Sequence, residues 1–142
     1  MPAPRTPALA VDVIIELEDR PGRPIVLIER RFPPAGHALP GGFVEIGETV
    51  EMTACREARE ETGLEITLGT LLGVYSDPAR DPRGHTVSLV YVARARGAPR
   101  AGDDAAAVLV TDPGAAPALA FDHGRILADY LAFRKASPRA GR

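Results

Sequence analysis

Residues 41–64 constrain the fold more than any other stretch of the chain. Two glycines, Gly41-Gly42, lead through Phe43-Val44-Glu45-Ile46-Gly47-Glu48 into a helix-forming segment that carries Arg56-Glu57-Ala58-Arg59-Glu60-Glu61-Thr62-Gly63-Leu64. Thr49 suits the cap of such a helix, Glu51 its positive first turn, and Gly63 the left-handed residue past its end, so a helix is predicted over 49–62. Glu57, Glu60 and Glu61 then stand at i, i+3 and i+4 and share one face. Like charges at that spacing cost an isolated helix about 0.2–0.5 kcal/mol per pair, so something positive is expected among them. Salt bridges to Arg56 and Arg59 on a solvated face are one answer. A hard divalent cation is the other, since it takes carboxylate oxygens and, where a glycine leaves room, a backbone carbonyl. The paired glycines, the leading Glu48 and the Arg56-Glu57 pair favour the cation. On the opposite flank Ala54, Cys55 and Ala58 are small enough for close packing on a sheet, which makes Cys55 a buried small residue and not a nucleophile.

Around this helix the chain reads mostly as strands. Val11, Val13, Ile15 and Leu17 alternate with Asp12, Ile14 and Glu16, the period of a half-buried strand. Turn residues Asp19-Arg20-Pro21-Gly22 separate it from a partner strand over Ile25–Arg30. The proline- and glycine-rich stretch Phe32–Gly42 reads as loop. Further strands are expected over Leu68–Ser76, Thr86–Ala95 and, shorter, Val108–Thr111, with loops at Asp77–His85 and Gly97–Asp104. Asp122 is placed to cap a second helix reaching about Lys135, with an apolar stripe of Ile126, Leu127, Tyr130 and Leu131. The pattern is α+β, arranged as α/β/α layers in one domain over residues 1–142, with loose tails at 1–8 and 136–142.

A length of 142 residues suits one domain able to bury its own core. The formal net charge of −2 gives no global positive field, so nucleic acid is not an expected partner. Lys135 is the only lysine, and arginine, which grips phosphate through a planar fork, supplies every other basic side chain. A lone Cys55 rules out an internal disulfide and a thiolate metal cluster. The N-terminal residues lack the apolar stretch of a secretory signal, and no segment has the length of a membrane span, so the cytoplasm is the expected compartment.

The helix and its leading loop resemble the Nudix hydrolase family. Its signature is a glycine, five residues, a glutamate, seven residues, then Arg-Glu-aliphatic-any-Glu-Glu-any-Gly-aliphatic, met here by Gly42, Glu48, Arg56, Glu57, Ala58, Glu60, Glu61, Gly63 and Leu64. Ala58 is a small occupant of an aliphatic position. The resemblance implies an α/β/α sandwich around a central mixed β-sheet. It also implies Mg²⁺, with Mn²⁺ as a possible substitute, held by Glu57, Glu60, Glu61 and the carbonyl of Gly42 or Gly41. Arg56 would orient Glu57, and Glu48 would support the loop or an outer water. The metal lowers the pKa of a bound water that attacks a diphosphate, and positioning supplies most of the rest.

A second block, Tyr75-Ser76-Asp77-Pro78-Ala79-Arg80-Asp81-Pro82-Arg83-Gly84-His85, has two readings. Arg80 and Arg83 present donors to phosphate or ribose, or they pair locally with Asp77 and Asp81 in a rigid loop; His85 reads as structural. Together with Leu119-Ala120-Phe121-Asp122-His123, this block is similar to the ADP-ribose pyrophosphatase branch of the family. That resemblance implies cleavage of ADP-ribose to AMP and ribose 5-phosphate, a homodimer, and contact of Arg30 or Arg31 with the diphosphate. One departure stands out. After Gly102 the chain reads Asp103-Asp104-Ala105-Ala106-Ala107, where relatives carry a glutamate at the position of Ala107. If that glutamate is a general base, the role passes here to Glu57, Glu60 or a nearby aspartate. The alternatives are a nucleoside triphosphate pyrophosphohydrolase and a Nudix-fold sensor that binds nucleotide without cleaving it.

Overall fold

Strand β1 (Ala8–Leu17) is the axis on which the rest is assembled. In the computed structural model, which describes residues 3–102 and 105–137, it pairs in parallel with β6 (Thr86–Ala95) over its whole length, Ala8 facing Thr86 and Leu17 facing Ala95. Strand β5 (Thr67–Tyr75) adds antiparallel to the far side of β6. On the other side β1 meets β2 (Ile25–Arg30) at Glu16 and Ile25, and the segment Phe32–Gly42 contributes two short strands beside it. These are β3 (His37–Ala38) on β2 and β4 (Gly41–Phe43) on β1. Strand β7 (Ala105–Thr111) closes the far edge of β2, giving a seven-stranded mixed sheet.

Two helices cover this sheet, one on each face. Helix α1 (Val50–Thr62) packs Ala54 and Ala58 against Val11, Val13, Ile15 and Leu17, with Leu64 closing the cluster. Helix α2 (His123–Ala136) packs Ile126, Leu127 and Tyr130 against Ile14, Ile25, Leu27, Val90 and Val92. The expected α+β class and α/β/α layering follow directly. Small side chains on α1 let its backbone lie close to the strands, and this closeness sets the geometry of the site below. Among the described residues, no helix is long and apolar enough to cross a membrane.

Several elements differ from what the sequence pattern predicts. Strand β1 is buried on both faces from Ala10 to Leu17, because α2 covers the side on which alternation placed Asp12 and Glu16 toward solvent. Both carboxylates are hydrogen-bonded, as buried charges must be. Asp12 accepts from the Ser88 hydroxyl at 2.5 Å, and Glu16 from the Tyr130 hydroxyl at 2.5 Å and Arg23 at 3.2 Å. The region 32–42 is not all loop, since β3 and β4 find partners that local composition does not reveal. Strand β7 starts three residues earlier than expected, at Ala105. Ala8 is paired in β1 and Ala136 lies in α2, so neither belongs to a tail; residues 1–2, 103–104 and 138–142 lie outside the described residues. Asp122 precedes α2 without capping it through its side chain, and Cys55 is only half-buried.

Burial and the neighbouring Glu16 carboxylate both push the Tyr130 hydroxyl well above the ordinary phenol range, so it stays a proton donor at every working pH. Tyr130→Phe would leave Glu16 short of a donor in a closed site. Urea denaturation should show a loss of about 1–3 kcal/mol, the usual cost of stranding a buried acceptor.

Candidate active site

Helix α1 begins as its sequence requires. The Thr49 side chain accepts the Met52 N–H at 3.1 Å, and Gly63, at φ 72°, turns the chain out of the helix while its N–H reaches the Arg59 carbonyl. The loop before the helix is folded back by Glu48, which accepts from the Glu45 N–H at 3.1 Å and the Thr53 hydroxyl at 2.9 Å.

The guanidinium of Arg56 organises the acidic face. Its Nε and Nη2 donate to the two oxygens of Glu48 at 2.6 and 2.9 Å, Nη1 donates to Glu57 at 2.8 Å and Glu60 at 3.2 Å, and Nη2 also reaches the Phe43 carbonyl at 3.1 Å. The fork geometry explains why arginine stands here, since a lysine ammonium could not reach three carboxylates and a backbone oxygen from one fixed fork. These hydrogen bonds lower the Glu48 carboxyl to about 2 and raise Arg56 beyond its ordinary range. Arg59 turns away to Glu65 at 2.6 Å, so only one of the two helix arginines serves the acidic face.

Glu57 and Glu61 meet the backbone of β4. The pairing of Gly41 with Asp12 and of Gly42 with Val11 brings this strand up against α1. The Gly41 N–H donates to Glu61 at 2.9 Å. A Cβ at Gly42 would sit 2.4 Å from the Glu57 carboxylate, and one at Gly41 would sit 2.3 Å from both the Val11 carbonyl and an Asp12 oxygen. At Gly41 the clash is with backbone and excludes any side chain, whereas at Gly42 a side chain would have to displace the Glu57 carboxylate. Glu61 is buried, Glu57 half-buried and Glu60 exposed, so the three carboxylates differ in environment although they share a face.

Among the described residues, no group of three or more His, Cys, Asp or Glu side chains is gathered as a ready metal cage. Arg56 bridges Glu57 to Glu60, while Glu61 lies against Gly41. The donor chemistry nevertheless fits a hard divalent cation. Glu57, Glu61 and the side-chain-free backbone at Gly42 offer oxygen ligands alone, the set that Mg²⁺ takes through a few carboxylates and substrate phosphates.

Beside Gly41 and Gly42 a cleft opens, walled by Arg30, Arg80, Arg83, Phe121 and His123. Its floor carries a buried polar chain. The Leu39 N–H donates to His123 Nδ1 at 3.0 Å, which leaves the proton on Nε2, and Nε2 faces Asp12 at 3.6 Å. Burial alone would raise the Asp12 carboxyl, but His123, the Ser88 hydroxyl and Arg80 together bring it below the usual range. Thus α2, β1 and the Leu39–Gly42 segment are joined beneath the cleft.

The arginines singled out from the sequence have different fates. Arg80 is buried and makes a two-pronged pair with Asp122 at 2.7 and 2.9 Å, 42 residues away, instead of pairing with Asp77. Asp77 instead accepts the Ala79 N–H at 2.8 Å. Arg83 does pair locally, with Asp81 at 2.8 Å, and stays exposed at the cleft. Arg30 lines the cleft and donates to the Pro34 carbonyl at 2.7 Å, whereas Arg31 donates to the Ala105 carbonyl at 3.2 Å and does not line it. His85 faces the Ser76 carbonyl at 3.1 Å. Ala107 sits opposite Glu29 in the β2–β7 register. The aspartates that line the cleft, Asp12 and Asp81, are both engaged, the first with Ser88 and the second with Arg83.

Sequence reasoning missed Asp12 and Phe121 as parts of the cleft. An aspartate inside an apolar strand was the available signal for the first. The second stood within the Leu119–His123 block that carried the resemblance, without a role of its own, and its backbone lies at φ 55°.

Comparison with known proteins agrees with this geometry. Residues 6–130 match the family model described as the NUDIX domain. The chain is 49% identical over 131 residues to an ADP-ribose pyrophosphatase of Methanocaldococcus jannaschii, covering 90% of this chain and 75% of that one. Among solved structures it is similar to a MutT/nudix family protein from Enterococcus faecalis, with a TM-score of 0.82, 28% identity, and coverage of 99% of this chain and 68% of that one. It is also similar to the NUDIX domain of Shewanella oneidensis NrtR complexed with ADP ribose, with a TM-score of 0.77, 25% identity, and coverage of 91% and 89%.

Two outcomes follow from the glycine contacts. Gly42→Ala should keep a melting temperature near that of the parent, because the Glu57 side chain can swing aside, yet catalytic turnover should fall at least about tenfold through loss of its placement. Gly41→Ala, pressed against backbone, should melt lower or fail to fold. Glu48 gives a pH test. Its folded pKa lies below the ordinary 4.5, at about 2, so the stability it adds is present above pH 4.5 and is lost as pH falls through 2. Acid unfolding curves should therefore lose part of their slope between those values in Glu48→Gln.

Proposed function

This chain belongs to the Nudix family, and from that premise we propose that it hydrolyses ADP-ribose to AMP and ribose 5-phosphate with Mg²⁺ or, as a substitute, Mn²⁺. The observation that carries this reading is the meeting of Glu57 and Glu61 with the bare backbone of Gly41 and Gly42, next to a cleft walled by arginine. The Methanocaldococcus jannaschii relative supports the choice of substrate.

In this reading Glu57, Glu60 and Glu61, with the Gly42 carbonyl, hold the cation. When bound, it neutralises diphosphate oxygens and acidifies water. Arg56 fixes the direction of the Glu57 and Glu60 carboxylates, and Glu48 fixes Arg56 in turn. With Ala107 in place of a glutamate, the water proton passes to Glu57 or Glu60. Arg30 and Arg83 are the cleft cations that face the diphosphate. Arg80 acts at one remove, because its guanidinium is committed to Asp122. Arg31 does not line the cleft and donates to the Ala105 carbonyl, so of the two arginines ending β2 the diphosphate contact falls to Arg30. The enzyme is expected to work in the cytoplasm, as a homodimer, on a small nucleotide and without nucleic acid.

Turnover of a panel containing ADP-ribose, NADH, diadenosine polyphosphates and nucleoside triphosphates, each with Mg²⁺, tests the assignment. ADP-ribose should be preferred, with AMP and ribose 5-phosphate as products, and a chelator should abolish the reaction. Glu57→Gln should lower kcat by about 100-fold or more at unchanged melting temperature. Preference for a triphosphate would reject the substrate. An inert parent that still binds ADP-ribose would favour a sensor, the outcome that Ala107 leaves open.

A further inference from the structure

Phe121 carries no group that could do chemistry, yet several contacts converge on it. The guanidinium carbons of Arg30 and Arg83 lie 4.8 and 5.1 Å from its ring centre, and the His123 ring lies 5.2 Å away. Its backbone sits at φ 55°, a conformation that a bulky side chain seldom adopts. Such strain persists only where the surroundings over-determine it. Here the next residue, Asp122, is gripped by buried Arg80, and the one after, His123, is buried and bonded to the Leu39 N–H. The fold thus holds an aromatic face at one place in the cleft wall.

The two arginines reach that face from distant parts of the chain, Arg30 from the end of β2 and Arg83 from the loop between β5 and β6. Each commits part of its fork to the protein. Arg30 uses Nε and Nη2 on the Pro34 and Pro33 carbonyls, and Arg83 uses Nε and Nη2 on Asp81. Among the described residues, neither Nη1 has a protein acceptor, and no carboxylate lies within ion-pair range of Arg30. Two like charges near one another are unfavourable: Arg30 is lowered first by burial and then by Arg83, with Glu61, Asp81 and Asp12 acting the other way more weakly. The negative face of an aromatic ring offsets part of that repulsion and fixes where both cations stand.

We propose that Phe121 is a positioning residue that holds the Arg30 and Arg83 guanidiniums together as a paired grip for neighbouring phosphate groups of a diphosphate. This rests on reading the cleft as a diphosphate site, but not on the identity of the groups the diphosphate joins.

Isothermal titration of the full chain with inorganic pyrophosphate, without divalent ions, reads the grip apart from turnover. Phe121→Leu should weaken binding about fivefold or more, whereas Phe121→Tyr, which keeps the π face, should stay within about twofold of the parent. In ADP-ribose turnover Phe121→Leu should raise KM and leave kcat nearly unchanged, the signature of lost uniform binding. If circular dichroism shows that Phe121→Leu does not fold, Phe121→Met fills the space without a ring and replaces it. Parent-like pyrophosphate affinity in the ringless variant, or no binding by the parent, overturns the inference. Failure of the parent to cleave ADP-ribose, with the pyrophosphate result intact, would remove the substrate assignment and leave the grip standing.

Discussion

The close approach of β4 to α1 is the constraint from which the rest of the site follows. A helix faced with Ala54 and Ala58 can lie low on the sheet, and a strand carrying Gly41 and Gly42 can then slide against its acidic side. Neither adjustment works alone. With larger residues on the helix, Glu57 and Glu61 would stand clear of the strand; a methyl group at Gly42 would collide with Glu57, and one at Gly41 with Val11 and Asp12 of β1. Arg56 completes the arrangement by answering the repulsion among the glutamates and tying the preceding loop to the helix. The Glu60 arm of this network is exposed and adds little stability by itself; the half-buried pairs to Glu48 and Glu57 fix orientation.

The opposite face of β1 performs a matching task for the cleft. Asp12 and Glu16 are buried under α2, each hydrogen-bonded to a side chain brought in from elsewhere in the chain. Burying a carboxylate is costly unless its lone pairs are filled, and here the partners are Ser88 and His123 at one point, Tyr130 and Arg23 at the other. The first cluster reaches the Leu39–Gly42 segment through His123, so the strand that meets α1 is anchored from behind as well. Arg80 and Asp122 lock the β5–β6 loop to the start of α2, and that lock places Phe121 and Arg83 on the same wall.

The sequence made much of this legible because the signals were local. Thr49, Gly63 and the spacing of Glu57, Glu60 and Glu61 announced α1 and its acidic face, and Thr86–Ala95 and Ile25–Arg30 emerged with their bounds intact. What stayed hidden depended on partners far along the chain. Alternation in β1 suggested one wet face, since Asp12 and Glu16 look like surface residues until α2 is seen over them. Short β3 and β4 have no period of their own and exist because β1 and β2 part company. Arg80 had two aspartates within a few residues and instead chose a third beyond the next two strands, where burial makes a two-pronged pair stronger.

In the proposed function, Glu57 and Glu61, pressed against the bare backbone of Gly41 and Gly42, form the seat of a divalent cation. Anomalous diffraction from crystals soaked in Mn²⁺ addresses it directly. A manganese peak in contact with both carboxylates and a glycine carbonyl of that strand is the expected result. Manganese bound only elsewhere, or none at saturating concentration with Glu61 still bonded to the Gly41 N–H, would show that these carboxylates do not hold the cation.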